Sequence, residues 1–138
     1  QKTYRYHIFT GDVVSPFLHR YVYHYRAPLD IAALRRGAAL LKGEHDFGSF
    51  AGGGSDVEST TRNVRELCIE QTDDSLLVTI TANGFLRYMV RMLVGELIKV
   101  GRGQRSVADI ADRLASSDYT LPRPTAPASG LTLMRVDY

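Results

Sequence analysis

The sequence has no tryptophan, a single cysteine and no uninterrupted apolar run long enough to cross a bilayer. With Cys68 alone, an internal disulfide and a cysteine-built zinc site are excluded, and a reducing, cytoplasmic compartment is the expectation. The most apolar stretch is broken by Arg87, Arg91 and Glu96, which excludes a membrane span there. His7, His19, His24 and His45 contain no His-x-x-x-His pair with an intervening glutamate, so no metal is expected. A Gly-x-Ser-x-Gly elbow, a dinucleotide-binding fingerprint and the Lys-Ser/Thr of a phosphate-cradling loop are also missing.

What is present is the composition of one ordinary globular domain: 138 residues, 44% hydrophobic and 23% charged. The formal net charge of +2 is too small to mark a nucleic-acid binder by itself. The basic residues are mostly arginine, however, whose planar fork suits phosphate better than an ammonium does.

The chain is organised around the stretch from Asn83 to Gly101, which reads as a strand end turning directly into a helix. Asn83 and Gly84 supply the turn. Leu86, Met89, Val90, Leu93, Leu97 and Val100 recur at the spacing of one buried helical face, and Gly101 stops the helix. Arg87 and Arg91, four apart, would share a second stripe at the border of the apolar arc. A guanidinium there either snorkels to solvent or needs an anion opposite it. Gly95, four residues beyond Arg91, leaves space for another backbone or a ligand.

The remaining elements follow from pattern and punctuation. Gln1 to Thr10 predicts a strand with Tyr4, Tyr6 and Ile8 on one face and Arg5, His7 and Phe9 on the other. Phe17 to Tyr25 predicts a shorter extended segment. Asp30 caps a helix striped by Leu34, Ala38 and Leu41 and ended by Gly43. Glu44 to Phe50 predicts a single turn in which Phe47 and Phe50 plug the core, and Ala51 to Ser59 a flexible glycine-rich loop. Asn63–Gln71 and Ser75–Asn83 predict a hairpin. Ser106 caps a last helix striped by Val107, Ile110, Ala111 and Leu114. Pro122, Pro124 and Pro127 keep the next stretch irregular, and Leu131 to Tyr138 closes as a strand. The expected fold is α+β: a mainly antiparallel sheet with helices packed on one face, a ferredoxin-like variant. A platform of tyrosines and arginines suits looped or single-stranded RNA.

Several segments in order resemble the C-terminal domain of the tRNA pseudouridine synthase A family. They are Lys2-Thr3-Tyr4-Arg5-Tyr6, Gly43 to Phe50, Arg62-Asn63-Val64, Phe85 to Gly95, and Ala126 to Leu133. Together they cover essentially the whole chain. The resemblance implies isomerisation of uridine to pseudouridine in the anticodon arm of tRNA, without cofactor or metal, by a homodimeric cytoplasmic enzyme. It implies that Tyr4 packs on the target base and takes part in proton transfer. It further implies that Arg91 pairs with a catalytic aspartate and that Leu131 lines the pocket beside the base. Lys2, Arg5 and Arg87 are candidate RNA contacts.

One departure from the family pattern is large. The nucleophile belongs to an Arg-x-Asp-x-Gly segment, and none of the ten aspartates has that context; Asp12 is the nearest imitation and lacks the arginine. The expectation is a C-terminal domain spanning residues 1–138, without the N-terminal domain that supplies the aspartate, and inactive alone. The competing expectation is a non-catalytic RNA-binding module of the same fold.

Overall fold

The computed structural model describes residues 1–52, 59–116 and 124–138. The strands are β1 (Lys2–Phe9), β2 (Tyr23–His24), β3 (Gly43–Asp46), β4 (Thr61–Gln71), β5 (Ser75–Ala82) and β6 (Leu131–Val136). The helices are α1 (Ile31–Leu41), α2 (Met89–Gly101) and α3 (Val107–Ala115), with short 3₁₀ turns at Gly48–Phe50 and Ala128–Gly130. Most of the expected glycine-rich loop, and Pro122, lie outside the described residues.

The four long strands run in the order β6-β1-β5-β4, every neighbouring pair antiparallel, and β3 extends the β4 edge. With α1 between β1 and β4 and α2 between β5 and β6, this is the ferredoxin-like arrangement that the element order predicts. The other edge of β1 is shared: β6 pairs with Lys2 to Tyr6, and β2 runs parallel to Ile8 and Phe9.

Alternation fixes which face is covered. Tyr6 and Ile8 on β1, and Leu76, Val78, Ile80 and Ala82 on β5, are buried with Leu34, Ala38 and Leu41 of α1 and Leu93, Leu97 and Val100 of α2. On β4 the buried residues step from Val64 to Leu67 and Ile69 because a bulge at Arg65 inserts one residue between them. Phe47 and Phe50 plug the core as expected, at 0% and 2% exposure. Asp30 caps α1 through Ala33 N–H, and Ser106 caps α3 in a reciprocal box with Asp109.

The structure corrects several local expectations. Helix α2 begins at Met89, not directly after Gly84, because Tyr88 takes a left-handed backbone (φ 62°) and breaks the helical path. Leu86 is buried as its spacing suggests, but under a turn, so Arg87 and Arg91 share no helical stripe. Gly101 is the last helical residue; the left-handed position after α2 belongs to Gly103 (φ 79°), whose N–H bonds Val100 O. Between Phe17 and Tyr25 only Tyr23–His24 pairs, since Leu18, His19 and Tyr21 N–H groups close local turns on Ser15 and Leu18 carbonyls. Gly43–Asp46 is a strand on the β4 edge, and Asp46 Oδ1 turns the chain afterwards by accepting from Gly48 N–H and the Thr60 hydroxyl. On α3, Ala111 is exposed and Arg113 is buried in its place, beside Glu96.

Glu96 is 1% exposed on α2, with Arg105 Nε at 3.4 Å and Arg113 Nε at 4.0 Å. Arg113 Nη1 donates to Ser49 O, and Ser49 Oγ to Arg113 O, which ties α3 to the turn after β3. Burial raises the Glu96 carboxyl above its ordinary value, outweighing the two arginines. A carboxyl raised by folding contributes stability below its unfolded pKa and loses it as pH climbs through the folded value. Relative to Glu96→Gln, the wild-type chain should therefore gain stability as pH falls from neutral toward the ordinary glutamate value, measured by urea midpoints at several pH values.

Gly95 is where the segment 124–127 crosses α2. A Cβ there would lie 2.3 Å from Pro124 O, a backbone atom that cannot move alone. The close backbone approach anticipated at Gly95 is thus present. Gly95→Ala is expected to destabilise the fold by about 1–3 kcal/mol, read as a lower urea midpoint with an unchanged slope.

Candidate active site

Tyr4, Arg91 and Leu131 are far apart in sequence, yet all three line one cavity of about 220 Å³ together with Phe85, Leu86, Tyr88, Met89, Val90 and Ala128. Each arrives by a different route. Tyr4 stands on β1 two residues before buried Tyr6, with its ring edge-on to Phe85 at 5.0 Å. Arg91 comes from the first turn of α2, and Leu131 begins β6 opposite Tyr6.

The segment 124–130 forms one wall and is fixed at several points. Arg91 Nε donates to Ala126 O at 2.8 Å, and Ala126 N–H returns a bond to Arg91 O at 3.0 Å. The fully buried Tyr6 hydroxyl donates to Pro127 O at 2.5 Å, and burial holds that phenol above its usual pKa. Ser129 Oγ bonds Val22 O. A Cβ at Gly130 would meet the Tyr6 ring at 2.7 Å, so the segment lies directly on that ring.

Arg91 is half-buried, and one of its nitrogens is committed to Ala126. Among the described residues no carboxylate lies within ion-pair distance of it. Its guanidinium carbon is 5.2 Å from the centre of the Tyr88 ring, and that of Arg87 is 4.9 Å away. Arg87 Nη2 also donates to the Tyr88 hydroxyl at 3.2 Å. The Arg87 bond, then its charge, and then that of Arg91 hold the Tyr88 phenol below its usual pKa. Tyr88 is the one non-glycine residue with positive φ among the described residues, a conformation that costs about 1–2 kcal/mol for a side chain with Cβ. Sequence reasoning gave Tyr88 no role, although its place between two arginines was a signal.

The other candidate RNA contacts are dispersed. Lys2 is exposed at the start of β1, two residues from Tyr4. Arg87 is exposed beside Tyr88, which lines the cavity. Arg5 alternates to the far side of β1, away from Tyr4, and shares that side with Thr3 and His7. Asp12 is exposed in the loop after β1. Among the described residues no group of three potential metal ligands converges, and no helix is long and apolar enough to cross a membrane.

In fold class this is a pseudouridine synthase half-domain, an α+β unit of six strands and three helices. A family profile described as tRNA pseudouridine synthase matches residues 38–138. The chain is 44% identical over 137 residues to the tRNA pseudouridine synthase A of Brevibacillus brevis, covering 99% of this chain and 56% of that protein. It is 41% identical over 140 residues to the protein of the same name from Limosilactobacillus reuteri, covering 100% and 55%. For that of Moorella thermoacetica it is 41% over 138 residues, covering 100% and 56%. The chain belongs to the tRNA pseudouridine synthase family, and it spans little more than half the length of these curated relatives.

Arg91→Ala removes the side-chain half of the Arg91–Ala126 pair and leaves the backbone half. The loss should be about 1 kcal/mol, read in a urea titration, with faster hydrogen exchange at the Thr125 and Ala126 amides.

Proposed function

We propose that this chain forms the stacking and arginine wall of a uridine-isomerising active site, and that the complete protein converts uridine to pseudouridine in the anticodon arm of tRNA. The observation that carries the reading is the convergence of Tyr4, Arg91 and Leu131 on one cavity. The cavity lies between β1, α2 and β6, with apolar walls beside a guanidinium. A flat, uncharged base needs such walls once it has left its stack.

The overall reaction conserves atoms. The bond from N1 of uracil to the ribose breaks, a bond from C5 to the ribose forms, and the hydrogen on C5 is exchanged for one on N1. An aspartate contributed by a separate N-terminal domain attacks the nucleotide as the N1–ribose bond breaks, and its bond to the nucleotide breaks again as the C5–ribose bond forms. Arg91, with one nitrogen on Ala126 O, offers the rest of its fork to that carboxylate and keeps it ionised. Tyr4 packs on the detached base while it turns and takes part in the proton transfer; Leu131 confines the base from the other side. No metal or cofactor enters. The complete enzyme works as a cytoplasmic homodimer, and this domain alone turns over no substrate.

The test is release of C5-labelled hydrogen from uridine in tRNA by the complete protein. Tyr4→Phe and Arg91→Ala should each lower the rate by about 10²-fold or more. Unchanged rates in both variants would overturn the reading.

A further inference from the structure

We propose that Tyr88 is a positioning residue that divides two arginines between separate tasks at the cavity mouth: Arg87 grips a backbone phosphate of the RNA while Arg91 stays turned toward the reacting end. This rests on the functional reading above and adds a residue that the reading leaves without a role.

Four observations converge on Tyr88. Its backbone sits in the left-handed region, at a point where glycine or asparagine would fit without strain, so the fold by itself does not favour a tyrosine. Its side chain is 44% exposed, so core packing does not explain the choice either. Both guanidinium carbons lie within 5.2 Å of its ring centre, and neither arginine has a carboxylate within ion-pair distance among the described residues. Finally, the neighbouring chain makes room for the ring: a Cβ on Gly52 would lie 2.7 Å from Tyr88 Cδ2, and Gly52 N–H bonds Arg87 O at 2.8 Å.

The physical reason is electrostatic. Two like charges near one small cavity repel, and long side chains relieve that repulsion by swinging into water. The negative face of an aromatic ring attracts both, and so lowers the cost of holding them together without neutralising either. Each cation keeps its full charge for a ligand. Arg91 is further tied to Ala126 and is turned inward, whereas Arg87 is exposed and its guanidinium donates to the Tyr88 hydroxyl. An exposed fork beside a base-sized cavity is placed for the phosphate of the nucleotide whose base enters it.

The experiment measures equilibrium binding of unmodified tRNA to the complete protein across a salt series, alongside thermal melting. Arg87→Ala should flatten the dependence of log affinity on log salt by about 0.7–0.9, one phosphate contact. Tyr88→Asn removes no charge, yet should reproduce at least half of that flattening and weaken binding about tenfold. Its melting temperature should stay level or rise, because asparagine suits the left-handed backbone. Tyr88→Phe keeps the ring and should bind within about twofold of wild type. The proposal is overturned if Tyr88→Asn binds with the wild-type slope and affinity, if Tyr88→Phe loses as much as Tyr88→Asn, or if Tyr88→Asn melts several degrees lower. The broader reading fails on a different measurement, hydrogen release by the Tyr4 and Arg91 variants, so the two can fall independently.

Discussion

The site depends on a reciprocal pair of hydrogen bonds between Arg91 and Ala126. One bond runs from the guanidinium to the carbonyl, and the other from the amide back to the helix backbone. Together they seat an irregular, proline-flanked segment against a helix that has no regular way to hold it. The same bonds orient the arginine, because a guanidinium with Nε engaged can present its remaining edge in only one direction. Gly95 permits the contact by letting the two backbones meet. The Tyr6 hydroxyl secures the next carbonyl from below. A charged group at the cavity is thereby fixed by one backbone acceptor, with the Tyr88 ring beside it.

Helix α2 is charged on more than one side, and two of its charges, Glu96 and Arg91, are treated differently. Glu96 is sealed between Arg105 and Arg113, where burial disfavours its ionised form. Arg91 keeps partial contact with solvent and has no acidic neighbour among the described residues. The buried cluster joins α2 and α3 to the turn after β3. The open charge remains available. A buried ion pair adds little net stability, because desolvating the two charges offsets their attraction.

Much of the fold was legible because it rests on periodicity. Period-two alternation in β1 and β5 and the capped stripe of α1 predict those elements with boundaries close to those observed. The misreadings share a cause: a side-chain pattern reports burial and not backbone path. Leu86 fits the helical spacing of α2 and is buried, but a left-handed Tyr88 lies between it and the helix. The tyrosines from Tyr21 to Tyr25 alternate like a strand, yet only Tyr23 and His24 find a partner edge. Gly43 to Asp46 is a strand because β4 offers it an edge, which local composition cannot reveal. At the site, Tyr4, Arg91 and Leu131 were assigned through family resemblance, and their residue chemistry alone left bland alternatives open. Tyr88 escaped notice because its significance lies in a backbone angle and in two cations that converge only in three dimensions.

The cavity draws on the first strand, the middle helix and the last strand, and β6 reaches its place only by lying along β1. The flank of β1 therefore stays open, apart from the short β2 pairing, until β6 docks along it. No folding intermediate without β6 can present the three walls together. The cavity thus appears in one step when that strand docks, and a chain short of the step would carry scattered arginines but no pocket.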